Sequence, residues 1–267
     1  MLGGGTQIFD QALTLDKHTK SITSWFKSAG YQYITSLENI DQLSTLPVLG
    51  LFAEEGLSPA LNSKNPERLN EMTKAALQIL GDEKQPFFLL IEASQIDWCG
   101  HSNDIACAMA EMHDFAETLT TVKGFVDENK ETLMLATADH STGGLSLGYN
   151  SIYQWKANVV KQIHATISTI ATQLLNSDSI ATDWHKHIDF PLTETEVHAL
   201  EAVIKDKDET KDFIRLVISD RTKTGWTTKG HDGVDVQVFA SGVGSGIFSG
   251  FQDNTEISKK LKAYIMK

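Results

Sequence analysis

The sequence predicts an α/β fold, a mixed central sheet flanked by helices, and three observations carry that expectation. Phe87–Ile91 and Thr132–Thr137 are near-continuous apolar runs, the pattern of strands buried on both faces. Strand-like and helix-like segments alternate through most of the chain. The alternation stops at about 149–224, where two helical patterns flank a polar segment and no strong strand intervenes. That stretch reads as a variable insert within one α/β domain spanning 1–267.

Taken in order, Gly3-Gly4-Gly5 predicts a tight turn, because it lacks the Lys-Ser/Thr of a phosphate-binding loop. Asp16–Ser28 is expected to be a helix, and Tyr31–Thr35 and Val48–Phe52 short strands. Asn65 is placed as an N-cap, with Pro66 at the first helical position and Met72, Ala75, Ala76 and Ile79 as the buried stripe. From about Ser102 to Val122 the apolar residues Ile105, Met109, Met112, Phe115 and Leu119 recur at helical steps. Glu111, Asp114 and Glu117 lie off that stripe and read as a solvated face. A last strand, Val234–Ala240, must run antiparallel to the others if the loop before it is to reach their carboxyl ends.

Composition narrows the function classes. At 41% hydrophobic and 22% charged over 267 residues, the chain has the profile of a globular protein. A net charge of -12 opposes binding to nucleic acid or anionic membrane. No apolar stretch reaches the length of a membrane span, and the N-terminus shows no signal peptide pattern. Cys99 and Cys107 are too few for a disulfide framework or a cysteine zinc module. Eight residues apart on one helix, they would lie too far along its axis to bond.

Three groups of residues carry metal chemistry. Glu92, Asp97 and His101 follow the Phe87–Ile91 run, Asp139 and His140 follow Thr132–Thr137, and His231 precedes the last strand. Ligands in open α/β sheets bind beyond the carboxyl ends of strands, where loops part into a crevice. Asp97 and His101, four apart, share one face of a helical turn. With His231 as a third ligand they would leave a zinc ion one open position, as catalytic sites do. Asp139 and His140 are neighbours that a loop can aim at one ion, and Glu92 offers a hard oxygen suited to Mg²⁺. Singly, each group is commonly an ion pair or a cap; the three together, in this order, are far more specific.

Those stretches, Glu92-Ala93-Ser94-Gln95-Ile96-Asp97-Trp98-Cys99-Gly100-His101, Thr137-Ala138-Asp139-His140-Ser141-Thr142-Gly143-Gly144 and Thr228-Lys229-Gly230-His231, resemble the alkaline phosphatases. Leu2-Gly3-Gly4-Gly5 and Leu49-Gly50-Leu51-Phe52-Ala53 add to the likeness, which is strong over about half the chain and weak over the insert. Trp98 beside Asp97 resembles the cold-adapted bacterial variant. The resemblance implies that Asp97, His101 and His231 hold a first zinc, Asp139 and His140 a second, and Glu92 magnesium, with Trp98 near the substrate. It implies in-line displacement on a phosphomonoester between two Zn²⁺ ions, begun by a serine. It also implies a periplasmic or secreted protein, and a dimer built through the insert.

The family's Asp-Ser-Ala nucleophile motif is not in this sequence. Asp178-Ser179, in the insert, reads better as a linker, and Ser141 better as a residue that shapes the metal loop. The sequence therefore matches the carboxyl-terminal portion of the fold, incomplete on its N-terminal side. It is expected to hold at most one zinc well and to hydrolyse phosphomonoesters poorly or not at all by itself, needing the missing part. Two other readings stand beside this one: another metal hydrolase or mutase of the same superfamily, and a non-catalytic metal-binding remnant. Glu92, five residues before Asp97, favours the phosphatase.

Overall fold

The computed structural model describes residues 1–15, 18–83 and 85–266. Leu2–Gly3, Val48–Leu51 and Gln32–Ile34 form a parallel three-stranded sheet, with Val48–Leu51 in the centre and wholly buried. The glycines make the expected turn: Gly5 has φ +105, and a Cβ on Gly4 would meet the Glu55 carbonyl oxygen. The expected helix at Asp16–Ser28 is shorter. His18–Ser21 pairs with Ala12–Leu15 as a hairpin, the helix runs only over Ile22–Ser28, and Asp16 and Lys17 lie outside the described residues.

The helix expected from Asn65 begins later, at Arg68–Gly81, and its cap comes from far away in sequence. The Asp114 carboxylate accepts from the N–H groups of Leu69 (3.0 Å) and Asn70 (3.1 Å). Glu111 accepts two hydrogen bonds from Arg68, at 2.7 and 2.8 Å, and one from the Ala60 N–H at 2.7 Å. Glu111 and Asp114 are therefore buried, not solvated as their position off the apolar stripe predicts. The long helix Ile105–Glu128 turns its acidic stripe inward because Arg68 supplies the opposite charge, and leaves Met109 and Met112 exposed.

Leu133–Thr137 pairs with Val238–Gly242, antiparallel as predicted, although the last strand starts four residues later than expected. Phe87–Ile91 forms no strand. The run has no β partner among the described residues, and Phe88 and Leu90 are 61% and 76% exposed. Its apolar pattern fits a covered strand, but among the described residues the run is covered only in part, with Phe87 against Phe125 and Leu89 and Ile91 half-buried.

The insert is closed at its base by an antiparallel clip, Ser146–Leu147 against Thr224–Gly225. Its helices include Ile167–Leu174, Glu194–Val203 and Lys207–Thr222. A further short helix, Ile180–His185, lies in the segment read as polar, and buries Trp184. Together they enclose the larger core, in which Ile170, Leu174, Ile188, Leu200, Ile214 and Ile218 are buried beside Ile105 and Ala106 of the long helix.

Candidate metal centre

The site is built where a helix is broken. Gln95–His101 ends at a turn, Ser102 to Asp104, and Ile105–Glu128 begins a new direction. Asn103 sits at φ +49, left-handed backbone that asparagine tolerates, and its amide donates to the carbonyls of Gly100 (3.0 Å) and Thr228 (2.8 Å). The break corrects the expectation for the cysteines. On one continuous helix, eight residues would separate them by about 12 Å; across the turn their Cα atoms are 5.5 Å apart, and Cys99 and Cys107 form a disulfide.

Asp97 and His101 lie in the short helix, with the Asp97 carboxylate 3.4 Å from His101 Nε2. His231 arrives from the other side. His231–Asp232 pairs antiparallel with Ser141–Thr142, so His231 stands opposite Thr142 and its Nε2 comes to 3.8 Å from Asp97. The candidate ligand atoms of Asp97, His101 and His231 all lie within 4.8 Å of one another. Two distant stretches of chain thus converge on one point, as expected for these three residues, and Ser141–Thr142 is paired beside them.

The donor set fits a zinc ion. His101 Nδ1 lies 2.6 Å from the Lys229 carbonyl oxygen, which can only accept, so Nδ1 carries a proton and a neutral ring would offer its Nε2 lone pair to an ion beside Asp97. One carboxylate oxygen and two imidazole nitrogens form a three-ligand set with room for a further group. His140 joins the edge of this cluster, its ring stacked on His231 with centroids 3.6 Å apart. Asp139 lies beside it, with an oxygen 3.4 Å from His140 Nε2 and a largely exposed side chain. Glu92 is exposed and stands outside the three-residue cluster. Trp98 is half exposed, not a core indole, and its ring leaves no space for a Cβ on Gly56.

A family model described as alkaline phosphatase matches residues 1–266. The chain belongs to the alkaline phosphatase family. It is 38% identical over 98% of its length to alkaline phosphatase 3 of Bacillus subtilis, and 34% identical over 96% to alkaline phosphatase 4 of the same organism. It spans only 56% and 55% of those relatives. A cold-active alkaline phosphatase from a psychrophilic Shewanella is 39% identical, with a TM-score of 0.91. The match covers 98% of this chain and 64% of that one. An alkaline phosphatase of Thermus thermophilus, 21% identical with a TM-score of 0.75, shares the fold.

Two residues that hold the loops of this cluster together escaped the sequence patterns. Asp232 accepts from the Ser141 hydroxyl and the Gly144 N–H, both at 3.0 Å, and from the Val234 N–H at 3.1 Å. These bonds, that from Val234 foremost, hold its carboxyl below the usual range and lock the His140 loop to the His231 loop. Thr142 donates its hydroxyl to Asp97 at 2.6 Å and lies 3.2 Å from His140 Nδ1. Neither carries a signal in sequence alone, since each role depends on the pairing of Ser141–Thr142 with His231–Asp232. Gly143 completes the loop at φ +87, where a Cβ would strike the Trp226 ring and the Gly100 carbonyl.

Proposed function

We propose that this chain carries the metal-binding part of a phosphomonoester-hydrolysing alkaline phosphatase. Asp97, His101 and His231 would hold one zinc ion, Asp139 and His140 a second, and Glu92 magnesium. The convergence of Asp97, His101 and His231 is the observation that carries this reading. When bound, such ions supply Lewis acidity toward phosphoryl oxygens, and with it the local positive charge that an acidic chain otherwise lacks. The protein's own part is orientation. Lys229 fixes the His101 tautomer, Asp232 and Ser141 hold two ligand loops in register, and Asn103 ties the Asp97–His101 turn to the loop before His231.

The relatives' remaining length would supply the serine nucleophile and cover the apolar run at Phe87–Ile91. The chain alone is therefore expected to be a poor phosphatase. The Cys99–Cys107 disulfide supports a periplasmic or secreted setting, since such bonds persist in oxidising compartments.

Zinc stoichiometry by elemental analysis, paired with p-nitrophenyl phosphate turnover, tests the reading. The expected result is one firmly held zinc per chain, lost in His231→Ala, with turnover appearing when polypeptide matching the unmatched part of the relatives is added. A chain that takes up no zinc, or a His231→Ala variant that binds it unchanged, would overturn the assignment.

A further inference from the structure

The Thr142 hydroxyl reaches both groups of candidate ligands, beside the direct stacking of His140 on His231. Its hydroxyl donates to Asp97 Oδ1 at 2.6 Å and lies 3.2 Å from His140 Nδ1. Its backbone pairs with His231. Its methyl and Cβ pack so closely on the Asp97–His101 helix that a Cβ on Gly100 would approach both at 3.0 Å. The four residues come from three distant stretches of chain, and Thr142 is where those stretches meet.

A threonine hydroxyl has one proton and can also accept. The Asp97 carboxylate accepts only, so the proton is directed to Asp97 Oδ1. The oxygen lone pair then faces His140 Nδ1, and a hydrogen bond forms there only if Nδ1 carries the ring proton. A neutral His140 would then be the tautomer whose lone pair is on Nε2, the nitrogen on the Asp139 side of the ring. A neutral His101 would be the same tautomer, set by the Lys229 carbonyl.

We infer that Thr142 is a positioning residue that couples the two metal sites through the chain His140 Nδ1–H to Thr142 Oγ1, and Thr142 Oγ1–H to Asp97 Oδ1. Ordering Asp97 on a cation in the first site fixes the hydroxyl, which orients His140 for the second; ordering His140 assists the first by the same route. Coupling of this kind is reciprocal. The inference rests on the proposed assignment of Asp97 and His140 as ligands.

The test compares the full chain with Thr142→Val, Thr142→Ser and Asp97→Asn. Valine keeps the methyl on Gly100 and the β-branched shape suited to the strand pair, and removes only the hydroxyl. Serine restores the hydroxyl. Zinc affinity is read by competition with a chromophoric chelator, and the ligand field of each site by visible absorption during Co²⁺ titration. Far-UV circular dichroism confirms that each variant is folded.

Thr142→Val is expected to weaken zinc binding by about 10- to 100-fold, the range for lost hydrogen-bonding partners of metal ligands. It should also abolish the change that filling the weaker second site makes in the Co²⁺ spectrum of the first, with Thr142→Ser restoring affinity and spectrum. If Thr142→Val matches the parent in both while Asp97→Asn loses the ion, the coupling role is wrong and the metal assignment stands. If Asp97→Asn also binds like the parent, the metal assignment falls and the coupling falls with it.

Discussion

The insert and the sheet-bearing body are both rich in apolar residues, yet they bury them to very different extents. In the insert, Ile170, Ile188, Leu200 and Ile214 reach 0% exposure and Trp184 1%. In the body, Phe88, Leu90, Val234 and Phe239 remain 60% exposed or more. The insert's helices are close in sequence and close on one another, with their two ends clipped at Ser146–Leu147 and Thr224–Gly225. The body's exposed apolar runs have the pattern of strands, which need neighbours on both edges and layers on both faces, and of those four body residues only Phe239 stands in one. Apolar content thus sets a demand for burial, and the presence of a covering partner in the same chain decides whether it is met.

The comparison breaks most sharply on a pair of substitutions. Trp184→Ala removes a fully enclosed indole whose N–H donates to the Phe190 carbonyl at 2.8 Å. It is expected to cost about 3–5 kcal/mol in chemical unfolding. Phe88→Ser, at an exposed aromatic of similar bulk, is expected to change stability by less than about 0.5 kcal/mol while reducing self-association in light scattering. A comparable loss from both would mean that Phe88 is covered in solution, and the contrast between the two regions would fail.

What could be seen in advance follows the same division. The antiparallel pairing of Leu133–Thr137 with the last strand was legible because the His231 loop has to reach the other ligands. That Asp97, His101 and His231 come near one another was legible from their residue types and order along the chain. The misses are relations between distant residues. Glu111 and Asp114 look like a solvated face until Arg68 is placed between them. Cys99 and Cys107 look unbridgeable until the helix breaks at Asn103. Phe87–Ile91 looks like a strand, but no strand pairs with it among the described residues. Thr142 and Asp232 look ordinary until two short strands pair.

An intermediate effect is expected where the two regions meet. Asp104 caps the long helix by accepting from the Cys107 N–H at 3.1 Å, and its other oxygen accepts from the Ile167 N–H at the start of an insert helix, at 2.7 Å. Burial pushes its pKa up, against the pull of N–H donors at Ile167, Cys107 and Ala106. Between the ordinary carboxylate range and that raised value the folded chain binds more protons than the unfolded one, so stability falls as pH rises through the window. Asp104→Asn keeps one acceptor oxygen and leaves one backbone donor unpaired, a loss of about 1–3 kcal/mol. The deficit should be widest at the acid end of the window and narrow as pH rises, read as unfolding midpoints across the series. A deficit that widens with rising pH would show that the carboxylate is better accommodated in the fold than in the unfolded chain.

The smallest effect is expected at an exposed link between the regions. Asp212, on the insert helix Lys207–Thr222, meets Lys229 in the His231 loop at 2.8 Å, with both side chains about half exposed. The Lys229 hydrogen bond, foremost, lowers the Asp212 pKa. Its contribution is therefore present above the ordinary carboxylate range and is lost as pH falls through the lowered value. Solvent screening limits such a pair to about 0.2–1 kcal/mol. Asp212→Asn should shift the unfolding midpoint slightly at neutral pH and low salt, and not at all in high salt. Zinc affinity should stay unchanged, because the Lys229 group that contacts His101 is its backbone carbonyl. A large loss of zinc binding in Asp212→Asn would mean that the insert holds the metal loop in place through this surface pair, and that the buried contact at Asp104 does not by itself join the two regions.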